Sequence, residues 1–140
     1  MTHLITDTYF GPDPFSGVFL PLETWPADTR DVALDLSPET CAEALRGRLE
    51  NVTMIRVDFP HFADGRGFSL ARALRRGGYQ GRLRAKGHVI ADQYAMARGA
   101  GFDEVEIPSA LAKRHFKDHW IFRAQTWRQH DFQARLMARA

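Results

Sequence analysis

Between Met54 and Pro108 the chain runs strand, helix, strand, helix, strand, with glycines at the joins. In Met54-Ile55-Arg56-Val57-Asp58-Phe59 the apolar Ile55, Val57 and Phe59 alternate with Met54, Arg56 and Asp58, the period of a β-strand. A loop through Gly65 and Gly67 leads to a helix predicted from Ser69, with Leu70 and Leu74 one turn apart and a stop at Gly77-Gly78. The strand Gly81-Arg82-Leu83-Arg84-Ala85-Lys86 then puts Arg82, Arg84 and Lys86 on one face. A helix over about His88 to Arg98, Gly99-Ala100-Gly101 and the strand Asp103 to Ile107, closed by Pro108, complete the series. Such alternation with tight connections predicts consecutive βαβ units, and therefore an α/β fold with a small, mostly parallel sheet and right-handed crossovers. The spacing also suits part of a (β/α) barrel, but there are too few units to close one, so an open sheet is expected. Pairing of two such sheets in a homo-oligomer is a variant this arrangement admits.

The flanking segments are less regular. Residues before Gly17 read as an extended lead-in through Pro12 and Pro14. Gly17 to Leu22 is a short strand candidate in which Pro21 points to a sheet edge, and Val32 to Leu36 is a second apolar stretch. Ser37, Pro38 and Glu39 have the order of an N-cap, first helical residue and first-turn acid. They predict a helix that buries Cys41, Leu45 and Leu49. From Ser109 to Ala140 the chain is expected to be helical and to pack back or form a subunit contact, because Trp120, Ile121, Phe122, Trp127, Phe132 and Leu136 give it more apolar surface than a solvated tail carries.

With 140 residues, one α/β domain over 1–140 is expected, able to bury roughly two thirds of its unfolded surface. No apolar run reaches the length of a membrane span and the first residues lack a secretory pattern, so a cytoplasmic protein without a membrane partner is expected. Cys41 is the only cysteine, which excludes an intrachain disulfide, a Cys-x-x-Cys pair and a cysteine-ligated cluster within one monomer. Net charge is only +2, yet basic residues crowd between Arg66 and Lys86. That local excess suits a small anion or an acidic partner surface. Nucleic-acid binding is disfavoured, since no aromatic platform interleaves Arg82, Arg84 and Lys86.

The candidate site is the loop that follows the Met54–Phe59 strand. Ligands of parallel sheets bind beyond the carboxyl ends of strands. There Gly65 and Gly67 would let backbone approach an anion, the helix N-terminus at Ser69 would face it, and Arg66, with Arg82 or Arg84, would supply charge. The competing expectation is that Asp64 pairs with Arg66 or a neighbouring arginine and the glycines only turn the chain. His61 and Asp64 are the acid/base candidates. Leu70 stands where a dinucleotide fingerprint needs its third glycine, and there is no phosphate-loop sequence, so no cofactor is evident. His115 and His119 at i, i+4, with Asp118 beside them, lack a third ligand, and His88 with Asp92 suits a local hydrogen bond, so no metal site is assigned.

The run Phe59-Pro60-His61-Phe62-Ala63-Asp64-Gly65-Arg66-Gly67-Phe68-Ser69-Leu70-Ala71-Arg72, with Leu83-Arg84-Ala85-Lys86-Gly87, Asp92-Gln93 and Gly101-Phe102-Asp103, resembles the bacterial domain of unknown function 934 family. The resemblance implies a place in assimilatory sulfate and sulfite reduction, and so in cysteine biosynthesis, because members are commonly labelled as oxidoreductases of that pathway. It implies sulfite reductase or another sulfur-assimilation protein as partner. Two functions follow as expectations: an accessory or binding protein of the pathway, or a small enzyme acting on an anionic sulfur compound. Many relatives carry a cysteine just before Gly101-Phe102-Asp103, where this chain has Ala100, so a redox role for that thiol does not transfer.

Overall fold

The computed structural model describes residues 2–25, 30–61, 64–114 and 117–130. Seven strands, β1 (Thr2–Ile5), β2 (Phe10–Pro12), β3 (Phe19–Pro21), β4 (Val32–Leu36), β5 (Val52–Phe59), β6 (Arg82–Gly87) and β7 (Glu104–Pro108), form one sheet in the order β2-β1-β7-β6-β5-β4-β3. Strands β3 to β7 are neighbours in chain order and all parallel, whereas β1 pairs antiparallel with β7 and with β2. The fold is therefore the expected mixed α/β architecture, and Pro21 does mark an edge strand. The lead-in is not merely extended: residues 2–12 form a β-hairpin that extends the sheet beyond β7.

Helices α1 (Arg66–Arg76), α2 (Tyr94–Ala100), α3 (Ser109–Arg114) and α4 (Lys117–His130) follow β5, β6 and β7. Because each crossover steps one strand in the same direction, connections of one hand must place their helices on one face of the sheet. Burial agrees. Leu34, Ile55, Val57, Phe59, Leu83, Ala85, Val105 and Ile107 from the strands share one core with Phe68, Leu70, Leu74, Tyr94, Ala97 and Trp120 from the helices. Phe59, Phe68 and Phe102 meet at ring-centroid separations of 4.9 to 6.4 Å, fixing α1 over the end of β5. Trp120 is fully buried and Trp127 packs against the core, so the C-terminal region folds back as expected. Phe132 and Leu136 lie outside the described residues.

Three local expectations change. The helix expected after Ser37 is only a 3-10 turn at Ala42–Leu45: Leu45 is buried but Cys41 is exposed, so the cysteine does not pack as predicted. A cap and a first-turn acid mark where a helix can start but contribute only about 1 kcal/mol, and Gly47, at φ +75°, ends the segment. The helix placed from His88 begins as a 3-10 turn at Ala91, where the Ile90 amide donates to Gln93 Oε1 at 3.0 Å, and becomes α-helical at Tyr94. Helix α1 starts at Arg66, one turn before Ser69.

Among the described residues the other face of the sheet carries no helix. Between β2 at one edge and β3 at the other, residues 13–18 must cross it. This connection is short, with Asp13 and Phe15 set against Arg84. Beneath it lie the polar halves of the strands, with Asp35, Arg56, Arg84 and Glu104 in adjacent register positions.

Candidate functional site

The loop after β5 is organised by one carboxylate. Asp64 Oδ1 accepts from the Arg66 amide at 3.1 Å and from Arg66 Nε at 3.0 Å, and Oδ2 accepts from Nη2 at 2.7 Å. These side-chain bonds, then the backbone bond, hold the Asp64 carboxyl at about 2, well below the usual carboxylate range. The Arg66 pair holds its guanidinium correspondingly above its ordinary value. Asp64 thus pairs with Arg66 from within the chain, which was the competing expectation for this loop. Its amide in turn donates to the His61 carbonyl at 3.1 Å, and the His61 side chain is exposed. Phe62 and Ala63 of this loop lie outside the described residues.

The two glycines have different jobs. A Cβ on Gly67 would run into the Phe59 ring, so Gly67 lets α1 lie close against β5. Gly65 is the N-cap at φ −86° with nothing near its would-be Cβ, and is open to solvent. Ser69 is exposed on the helix, and its amide donates to the Gly65 carbonyl at 3.4 Å, so it is not the free N-terminal group that was expected. Arg66 is 55% exposed, and among the described residues its Nη1 reaches only Glu39, at 3.5 Å.

Arg82 and Arg84 are not brought to this loop. Arg82 opens β6 beside Met54, at the end of the sheet away from Gly65, and pairs with Glu104 through Nε and Nη2. Arg84 is fully buried on the helix-free face. Its Nε donates to Glu104 at 2.7 Å, and its Nη1 donates to Glu106 at 2.7 Å and to Asp13 at 2.7 Å. Next to it Arg56 grips Asp35 with Nε at 2.8 Å and Nη2 at 2.7 Å, and turns Nη1 to Glu106 at 3.2 Å. Phe19 lies over the Arg56 guanidinium at 3.7 Å, and Phe15 covers Arg84 at 5.6 Å. Burial alone would lower the affinity of both arginines for their protons, but Asp35 and Glu106 around Arg56, and Asp13, Glu104 and Glu106 around Arg84, more than reverse it.

This network was not foreseen, although part of it could have been. Arg56, Arg84, Glu104 and Glu106 all fall on the non-core parity of their strands, so opposite charges on neighbouring parallel strands were legible. The part played by Asp13 was not, because it depends on the path of the lead-in across the sheet.

Asp92 Oδ1 lies 3.2 Å from His119 Nε2 and 3.0 Å from Arg123 Nη2, which sets the 3-10 turn before α2 against α4. His88 donates its amide to the Phe59 carbonyl at 2.9 Å, and His115 lies outside the described residues. Among the described residues no three His, Cys, Asp or Glu side chains are grouped so as to hold a metal ion. No helix there is long and apolar enough to cross a membrane.

A family model described as bacterial protein of unknown function (DUF934) matches residues 33–138, most of the chain, and the chain belongs to that family. The matched span contains the Asp64–Gly67 loop, Arg56 and the buried Arg84. No curated protein and no solved structure matches the chain.

Proposed function

We propose that this DUF934 protein is a noncatalytic accessory or binding protein of assimilatory sulfate and sulfite reduction, in which Arg66 presents a fixed cation to a small oxyanion or to an acidic surface of the reductase. The observation that carries the binding role is the arrangement of Arg66. Its Nε and Nη2 are held by Asp64, while the side chain remains 55% exposed. A guanidinium oriented in advance loses less freedom on meeting a partner than a free one. The pathway rests on the resemblance of the Phe59–Arg72 run and its companion segments to the family associated with sulfite reduction.

A noncatalytic role is supported by how the charged side chains are committed. Asp64 is bonded to Arg66, and Asp13, Asp35, Glu104 and Glu106 are bonded to Arg56, Arg82 and Arg84. A carboxylate held at about 2 is a poor proton acceptor near neutrality.

Purified protein should bind sulfite or sulfite reductase without consuming sulfite, and Arg66→Ala should weaken that binding with the fold intact. Turnover of sulfite, lost in Arg66→Ala, would instead support the small-enzyme alternative with His61 or Asp64 in proton transfer. Neither binding nor turnover would overturn both.

A further inference from the structure

Strands β3 to β7 are all parallel, and parallel sheets are found with both faces covered. Here α1, α2 and α4 cover one face, and among the described residues the other is crossed only by the connection between β2 and β3. The inner side of that connection is engaged with the sheet. Asp13 bonds Arg84, Phe15 and Phe19 lie over the Arg84 and Arg56 guanidiniums, and the two rings meet each other at 4.8 Å. Its outer side is apolar and bare. Val18 is 76% exposed, the most of any large apolar side chain among the described residues, Pro14 is exposed, and Phe15 and Phe19 are only half-buried. An exposed apolar patch over an otherwise uncovered sheet face marks an interaction surface.

Charge marks the rim of this patch. Asp58 and Lys86 follow Arg56 and Arg84 by two residues on β5 and β6, so they point to the same face, about 6.6 Å nearer the carboxyl ends of the strands. The Arg56 and Arg84 row is fully paired. Asp58, exposed, and Lys86, half-buried, make no side-chain hydrogen bond or ion pair among the described residues. One unpaired acid and one unpaired base beside an apolar patch make a surface that is complementary to itself. A two-fold axis brings Lys86 of one copy to Asp58 of the other and, at the same time, Asp58 of the first to Lys86 of the second. A rim of one sign would instead fit a different protein.

We propose that the helix-free face is the interface of a homodimer, in which Phe15, Val18 and Phe19 of two copies pack together and Asp58 and Lys86 pair across the two-fold axis. The arrangement is that of an ordinary interface, with an apolar centre and a polar rim. Arg66 stays outside it, because α1 lies on the opposite face of the sheet, and the dimer does not depend on the role proposed for Arg66.

Sedimentation velocity and light scattering on the full chain test it. A species of twice the 15.9 kDa chain mass is expected. Val18→Glu should raise the dimer dissociation constant about tenfold or more, since each substitution enters a two-fold interface twice. Phe122→Glu, at an exposed position on α4, should leave the constant at the parent value. Lys86→Glu and Asp58→Lys should each weaken the dimer, and Asp58→Lys combined with Lys86→Glu should restore it. Both Val18 and Asp58 are exposed, so these variants keep the fold, and circular dichroism checks it. A monomeric parent, dissociation by Phe122→Glu rather than Val18→Glu, or a double reversal no tighter than the single ones would overturn the proposal.

Discussion

Asp13 and Arg84, 71 positions apart in the chain, meet at 2.7 Å on the helix-free face of the sheet. Asp13 belongs to the connection that crosses this face, and Arg84 lies fully buried on β6 beneath it. Their contact closes a face that would otherwise leave a guanidinium and two glutamates poorly shielded, so the sheet is covered by helices on one side and by a charged layer with an aromatic lid on the other.

Removing the centre of that layer should be costly. Arg84→Met leaves Glu104 and Glu106, exposed by only 4% and 3%, with an incomplete set of partners. A loss of about 3–5 kcal/mol is expected, the usual consequence of breaking a buried ion pair from one side. Asp13→Asn removes one charge-assisted contact and should cost about 1.5–3 kcal/mol. Urea unfolding measures both, and a loss under about 1 kcal/mol for Arg84→Met would contradict the network's role in stability.

The two loop glycines should respond differently to alanine. Gly67→Ala drives a methyl group into Phe59 and should destabilise by about 1–3 kcal/mol. Gly65→Ala meets nothing and should stay within about 0.5 kcal/mol. Thermal and urea unfolding of the pair distinguish a packing requirement at Gly67 from a shared role in backbone approach to a ligand.

Acid should loosen the start of α1 only at low pH. The folded Asp64 carboxyl sits at about 2, below its unfolded value, so its contribution is fully present above the ordinary carboxylate pKa of roughly 3.9 and is lost as pH falls through about 2. Carbon-detected NMR titration should give that midpoint, and Arg66→Ala should move it back toward the ordinary value. An unchanged midpoint in Arg66→Ala would show that Arg66 is not what holds the carboxylate.

Trp120 anchors the C-terminal helix. Its side chain is fully buried, while its indole N–H has no hydrogen-bond partner among the described residues. Trp120→Ala should therefore cost about 3–5 kcal/mol through the lost volume, and Trp120→Phe distinctly less. Equal losses in the two variants, read from urea unfolding, would contradict a packing role for the ring.

The strands β5 to β7 were legible because alternation and closing glycines agreed, as in Ile55, Val57 and Phe59 against Arg56 and Asp58, and the Gly17–Leu22 candidate contains β3, whereas Val32–Leu36 read only as an apolar stretch. The N-terminal hairpin was not, since Thr2–Ile5 and Phe10–Pro12 are too short to show a period and gain their pairing from β7. At the site, the loop and the Asp64–Arg66 pairing could be read from local sequence, whereas the separation of Arg82 and Arg84 from it could not. Strand parity places those two on the same face as each other, but only the crossover geometry tells which face the helices leave open. The Ser37-Pro38-Glu39 signal misled because a cap sequence marks where a helix can start without making the following residues propagate one.

The most direct test of the proposed role is growth of a bacterial strain lacking this protein with sulfite or with sulfide as the sole sulfur source. Failure on sulfite with normal growth on sulfide is the predicted result; equal growth on both would contradict a role in sulfite reduction.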